Sequence, residues 1–341
     1  MEDALEHSVP GEEVETADQG AGTKRIRIKQ VDAFTETPLT GNPAGVVIDA
    51  SGLTEKQMQV IASEMGVPET AFVLPPSAKG ADLRIRWFTP TTEVPLCGHA
   101  TIAGFHALAE DGLFGMNGEG TYRFALETLS GVLPVTVEKC EASTDVWFGL
   151  NLPTFQRASV QKLDIMRILN ISLDEFESRM PIAADRYLYV PVRRLHTIFA
   201  LRPNIFALSQ FLANRNLSGL CVFTTETVDR DSSVHSRFFA PNVGINEDPV
   251  TGSANGPLGV FLFENGALAE NASTPRDRQI TRVAEPSAGE EKVLTIIAEQ
   301  GDAIGRKGRV RVRLSSHDNA VTSVSIGGRA VTVFNGTMRV G

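Results

Sequence analysis

The 341-residue chain is 42% hydrophobic and 21% charged, with a formal charge of −9, a composition ordinary for globular proteins and a length that suits about two domains. Seven acidic residues and no Lys or Arg fall within residues 1–23, leaving only −2 for the remainder; so neutral a body lacks the basic field that phosphate binding needs, and nucleic acid is excluded as the expected ligand. No apolar run is long enough to span a membrane, the N-terminus lacks the basic-then-apolar pattern of an export signal, and Cys97, Cys140 and Cys221 form no CxxC, so a reducing, cytoplasmic setting is expected.

Residues 1–23 are acidic and unpatterned, which predicts a disordered tail. "RIRIKQVDAF", Arg25 to Phe34, alternates like a strand, and "GNPAG", Gly41 to Gly45, reads as a turn into the strand "VVI". In "LTEKQMQVIASEMG" a Thr54/Gln57 capping box opens a helix, Met58, Ile61, Ala62 and Met65 stripe one face, and Gly66 stops it. Glu69 follows in the gap before the strand "AFVL". Then come the strand "LRIRWF", a turn, and "GHATIAGFHALAEDG", whose small residues suit a closely packed helix. The second half predicts strands at "VWFGL", "YLYV", "TIFAL" and "CVF", helices near Asp174 and Phe206, then "RFFAP", a long turn and the helix "GSANGPLGVFLFENG". The ending holds the strands "VLTIIAE", "RVRVRL", "SVSI" and "AVTVF"; the Arg-Val alternation in "GRKGRVRVRL" fits a half-buried strand better than a phosphate patch. Strands outnumber helices and many are hairpin-spaced, which predicts an α+β fold with largely antiparallel sheet.

"RWFTP", Arg86 to Pro90, and "RFFAP", Arg237 to Pro241, match in type, and each leads through an acidic turn to a helix start, "CGHAT" or "TGSAN". Recurrence in the same context points to a duplicated α+β domain. Two helix N-termini facing one cleft each offer unpaired N–H groups and about half a positive charge, so a carboxylate or enolate-like anion is the expected guest. Gly98, Gly252 and Ser253 suit such a place, because bulk in the first turn would hold a ligand off the backbone. Neither loop is a P-loop or GxGxxG, which excludes nucleotides and dinucleotides. Glu69, Asp248 in "NEDPVTGSA" and His99 are the candidate proton carriers. On spacing alone each has a plainer reading: a solvated loop carboxylate, a turn cap and a local hydrogen-bonding residue. No His, Cys, Asp or Glu recur at metal-ligand spacing, so no metal is expected.

Taken together, "VDAFTETPLTGNPAGVV", "MQVIASEMGVPETAFV", "RIRWFTPTTEVPLCGHATIAG", "RFFAPNVGINEDPVTGSANGPLG" and "VSIGGRAVTVFNGTMRV" resemble the PhzF family of phenazine-biosynthesis-type isomerases, from about Ile26 to the C-terminus. The resemblance implies the diaminopimelate epimerase-like fold: two pseudo-symmetric α+β domains, each a curled, mostly antiparallel sheet around a central helix, with the site in the cleft. Residues 24–143, completed by strands at about 327–341, are expected to form the first domain and 144–326 the second. The implied activity is cofactor-independent isomerisation of a small carboxylate-bearing metabolite like trans-2,3-dihydro-3-hydroxyanthranilate. Glu69 takes the place of the glutamate that moves a proton between ring carbons, and Asp248 and His99 match its acidic and imidazole partners. Asn42, Gly98, Gly252 and Ser253 are the implied substrate-binding residues, and a homodimer is expected. Two positions depart from the pattern. Pro68 stands where members often carry Ser, and Thr251 stands where the two-thiol epimerases of this fold pair a second cysteine with the one at Cys97. An amino- or hydroxy-acid epimerase, and a non-catalytic binding or regulatory protein keeping the cleft, are the alternatives.

Overall fold

The structure, a computed structural model, describes residues 24–268 and 291–341; the predicted tail lies outside the described residues. In the first half, β1 (Lys24–Ala33) pairs antiparallel with β2 (Asn42–Val47), and helix α1 (Glu55–Met65) crosses over to β3 (Glu69–Leu74), parallel to β2. Strand β4 (Leu83–Phe88) is antiparallel to β3, the short β5 (Glu93–Val94) folds back on β4, and helix α2 (Gly98–Glu110) leads to β6 (Gly120–Thr128), parallel to β4. The hairpin strands β7 (Gly131–Cys140) and β8 (Ser143–Leu150) follow.

The second half opens with β9 (Gln156–Arg157), α3 (Lys162–Leu169) and β10 (Ala183–Ala184). From β11 (Leu188–Pro191) the chain passes through α4 (Leu195–Ala200) and α5 (Ile205–Ala213) to β12 (Leu220–Thr224), parallel to β11. Strand β13 (Val234–Ala240) is antiparallel to β12 and β14 (Ile245–Asp248) folds back on it; helix α6 (Gly252–Glu264) then precedes β15 (Lys292–Gln300), parallel to β13. The antiparallel strands β16 (Gly308–His317) and β17 (Ala320–Gly328) complete the series, and β18 (Ala330–Val340) returns to pair with β1. From β2 to β8 and from β11 to β17 the pairings follow one order, so the duplication read from two pentapeptides extends to strand topology. Strand β8 pairs with β17 and joins the halves.

Helices α2 and α6, of 13 residues each, are buried on nearly all sides, as helices apolar around their circumference must be. The α1 signals hold: Thr54 Oγ1 accepts from the Gln57 N–H at 3.2 Å, and Gly66 closes the helix at φ 62°. Strand β16 alternates as predicted, and its arginines meet partners: Arg309 contacts Asp302 at 2.9 Å, Arg311 contacts Asp145 at 2.6 Å, and Arg313 lies 3.9 Å over the Trp147 ring. No helix among the described residues is long and apolar enough to cross a membrane.

Several elements differ from the sequence reading. "TIFAL" is not a strand but mostly falls in helix α4, because the Arg237 guanidinium donates to the carbonyls of Ile198 at 2.8 Å and Leu201 at 3.0 Å, satisfying the helix end from outside the segment. Around Asp174 there is only a single tight turn, Leu173–Glu175, and the helix lies earlier, at α3. "GNPAG" is turn only at Gly41, φ 61°, and is strand from Asn42. Glu69 opens β3 instead of sitting in a loop.

Candidate active site

Both central helices are entered through the same clamp. Arg86 on β4 grips Glu93 with two bonds of 2.6 Å, and Arg237 on β13 grips Glu247 with two of 2.8 Å, the paired-fork geometry that makes such bonds strong. Each guanidinium also lies 5.1 Å from an aromatic ring centroid, Phe88 or Phe239. From the clamped glutamates run "EVPLCGHAT", Glu93 to Thr101, and "EDPVTGSAN", Glu247 to Asn255. A side chain one turn into each helix bonds back to the capping carbonyl, Thr101 to Cys97 at 2.6 Å and Asn255 to Thr251 at 3.0 Å. The helix starts converge on one residue of β17. A Cβ on Gly252 would stand 2.5 Å from Ile326 Cδ1, and one on Gly98 3.6 Å from the same atom and 3.2 Å from Phe148 Cζ. Packing therefore constrains both glycines, in addition to the ligand room expected of them.

Glu69 reaches the first helix start from the beginning of β3. Its side chain is 13% exposed, and its Oε2 lies 3.2 Å from His99 Nε2. The angles do not make a hydrogen bond, so His99 Nε2 is buried without such a partner among the described residues. Cys97 Sγ lies 3.5 Å from His99 Nδ1. Burial pushes Glu69 up to about 7, the charge of Asp248 adds to the rise, and a bond from Cys97 opposes it. Burial also pushes His99 down to about 4, against the favourable carbonyl of Pro43, so the ring is neutral near neutral pH and the close approach is not an ion pair. The Cys97 thiol is pushed up by burial and then by Glu69, and stays protonated.

Asp248, by contrast, is held on both oxygens. Asn42 Nδ2 donates to Oδ1 at 2.8 Å and to the Val250 carbonyl at 2.9 Å, while Thr251 Oγ1 donates to Oδ2. The direction of the Thr251 bond is fixed by Gln300. Its Nε2 donates to the Asp248 carbonyl at 2.8 Å and to Thr251 Oγ1 at 3.1 Å, and its Oε1 accepts from the Thr251 N–H at 3.0 Å and Asn255 Nδ2 at 2.8 Å. All four hydrogen-bonding places of the amide are used, and a Thr251 hydroxyl accepting from Gln300 turns its own hydrogen toward Asp248. Burial raises Asp248 to about 6 while the Thr251 and Asn42 bonds oppose the rise.

The structure thus brings Glu69 and His99 into contact, sets Asp248 on Asn42, and places Asp248 within electrostatic reach of Glu69. Gly98 and Gly252 meet across Ile326, and Ser253 Oγ lies 3.0 Å from the Tyr187 hydroxyl. Gln300, Asn255 and Tyr187 were not singled out from sequence. Asn255 had a signal, four residues beyond Thr251 on one helix face; Gln300 and Tyr187 had none.

A family model for phenazine biosynthesis-like proteins, PhzC-PhzF, matches residues 31–336. An uncharacterized isomerase of Clostridium acetobutylicum is 35% identical over 319 residues, covering 91% of this chain and 97% of that protein. The uncharacterized isomerase YddE of Escherichia coli K12 is 34% identical over 315 residues, with 91% and 97% covered. Among solved structures, the phenazine biosynthesis protein of the PhzF family from Bacillus anthracis superposes with a TM-score of 0.76 at 31% identity, covering 92% of this chain and 99% of that one. The fold is accordingly the α+β, diaminopimelate epimerase-like one. The chain belongs to the PhzC-PhzF family of phenazine biosynthesis-like proteins, a family of isomerases.

Proposed function

We propose that the chain is a cofactor-independent isomerase that moves a proton on a small carboxylate-bearing metabolite, with Glu69 as the shuttle. The observation that carries this reading is a nearly buried glutamate in contact with a neutral imidazole and in the field of a second, firmly bonded acid, between two helix starts. The Glu69 carboxylate takes a proton from one carbon, the C–H electrons shift into the adjoining unsaturated system, and the same oxygen returns the proton to another carbon. No electrons enter or leave, so the step balances without a redox partner. A group with its pKa near the working pH serves both directions. The helix starts of α2 and α6 favour the substrate carboxylate and the charge that develops beside it. Asp248, already accepting one bond on each oxygen, has lone pairs left for a substrate N–H or O–H. His99 Nε2, with no hydrogen-bond partner among the described residues, lies 3.2 Å from the Glu69 oxygen that would carry the proton.

Epimerisation by two thiols is the weaker reading, because the position paired with Cys97 is Thr251, whose hydrogen is committed to Asp248. The test is proton NMR in D₂O with trans-2,3-dihydro-3-hydroxyanthranilate, using dialysed wild type beside Glu69→Gln. Conversion with deuterium entering only in the wild type is expected. Undiminished turnover by Glu69→Gln overturns the shuttle, and no turnover by wild type overturns the substrate assignment.

A further inference from the structure

We propose that Glu69, Cys97 and His99 also form a binding site for a thiophilic divalent cation of the zinc class, and that such a cation switches the enzyme off reversibly. The inhibitory half rests on the isomerase reading above; the binding half does not. A sulfur, a ring nitrogen and a carboxylate oxygen from these three residues lie within 4.8 Å of one another. Zinc bonds of about 2.0 to 2.3 Å put tetrahedral ligands roughly 3.3 to 3.7 Å apart, so movements of about 1 Å close the set around an ion. The absence of metal-ligand spacing in the sequence hid this cluster, since Glu69 comes from a different element than the Cys-x-His pair.

An independent observation aims the site at a ligand. His99 is 7% exposed, yet its Nε2 has no hydrogen-bond partner among the described residues and lies 3.2 Å from Glu69 Oε2. A buried polar atom without a partner is costly, and a cation between the two atoms satisfies both. Asp248 is not needed as a ligand, because both its oxygens are bonded elsewhere. The ion would thus keep three protein ligands and an open fourth position, while the Glu69 lone pair that must accept the substrate proton is occupied.

The probe is cobalt(II) chloride, added to the whole metal-free chain under reducing conditions and followed by absorption spectroscopy. The expected result is a thiolate-to-cobalt charge-transfer band that saturates at one equivalent, is displaced by zinc chloride, and weakens at least tenfold in affinity in His99→Ala. The band is expected to vanish in Cys97→Ser and to persist in the Cys140→Ser/Cys221→Ser double variant, which leaves Cys97 as the only thiol. The double variant guards against misreading a Cys97→Ser protein that fails to fold. No saturating band in the wild type, or none in the double variant when that protein is folded, overturns the site. With the band present, undiminished turnover in zinc overturns the inhibition, and an inactive metal-free enzyme counts against the isomerase reading while the spectrum still decides the site.

Discussion

The two helix entrances share a frame and differ in chemistry. Each has the Arg–Glu clamp, the proline two residues beyond the glutamate, the glycine start and the bond back to the capping carbonyl. At the matched positions the first has Val94, Cys97 and His99, and the second has Asp248, Thr251 and Ser253. The strand register extends the comparison. Thr70 pairs with Phe88 as Leu220 pairs with Phe239, so the counterpart of Glu69 is Gly219, where a Cβ would stand 2.4 Å from Phe238 Cζ. Each half therefore gives one acid at a place where the other has no polar side chain. One acid is locked on both oxygens, and the other sits beside a thiol and an imidazole without a matching bond network. A duplicated frame supplies position, and its departures from symmetry supply a fixed anion and a movable proton.

Removing the movable proton is the severest way to break that asymmetry. Glu69→Gln is expected to cut solvent exchange and turnover by about 10² to 10⁴, as read by deuterium incorporation. The same substitution is expected to stabilise the fold. The carboxyl is raised from 4.5 to about 7 in the folded chain, so its contribution is favourable below about pH 4 and is lost as pH rises through about 7. Glu69→Gln should thus exceed wild type by about 3 kcal/mol at pH 8 and match it near pH 4. Denaturant midpoints at the two pH values check this, and an equal gain at both would count against a buried acid.

Unclamping one entrance at a time sharpens the comparison further. Glu247→Gln and Glu93→Gln are each expected to destabilise by about 1 to 3 kcal/mol, with the larger loss for Glu247→Gln. Arg237 is the more buried partner, its side chain 6% exposed against 14% for Arg86, and it also holds the end of α4. Thermal midpoints of the two variants test the ranking.

The smallest effect is a shift in pH dependence. If Glu69 must be ionised to accept the proton, kcat/KM rises through about pH 7 in the wild type. In Asp248→Asn the rise, followed on the remaining rate, is expected at lower pH but still above the ordinary carboxylate range, because burial is the larger cause and remains. An unmoved limb would place the two acids outside one another's field.

The duplicated frame was legible in "RWFTP" and "RFFAP" because the Arg–Glu clamp and its aromatic seat are short and local. The α1 boundaries were legible for the same reason, in Thr54, Gln57 and Gly66. Helix α4 was not, since the arginine that satisfies its end comes from β13. Nor was the lock on Asp248. Gln300 and Asn255 are 45 positions apart, and a hydrogen bond across that distance leaves no periodicity to read. Glu69 was found as a candidate, but its burial, which sets its proton affinity, belongs to the packed fold.

The pairing of β18 with β1 sets a timetable for synthesis. Val340 to Ala330 close the open edge of Lys24 to Ala33, so an early strand is completed only by one made much later in the chain. At about 5 to 20 residues per second the ribosome needs roughly 15 to 60 s to add the roughly 300 residues between Ala33 and Ala330. Throughout that interval the nascent first half presents an unpaired strand edge, the template for wrong pairing that finished sheets avoid. A transcript truncated before Ala330 would release the chain with that edge permanently open.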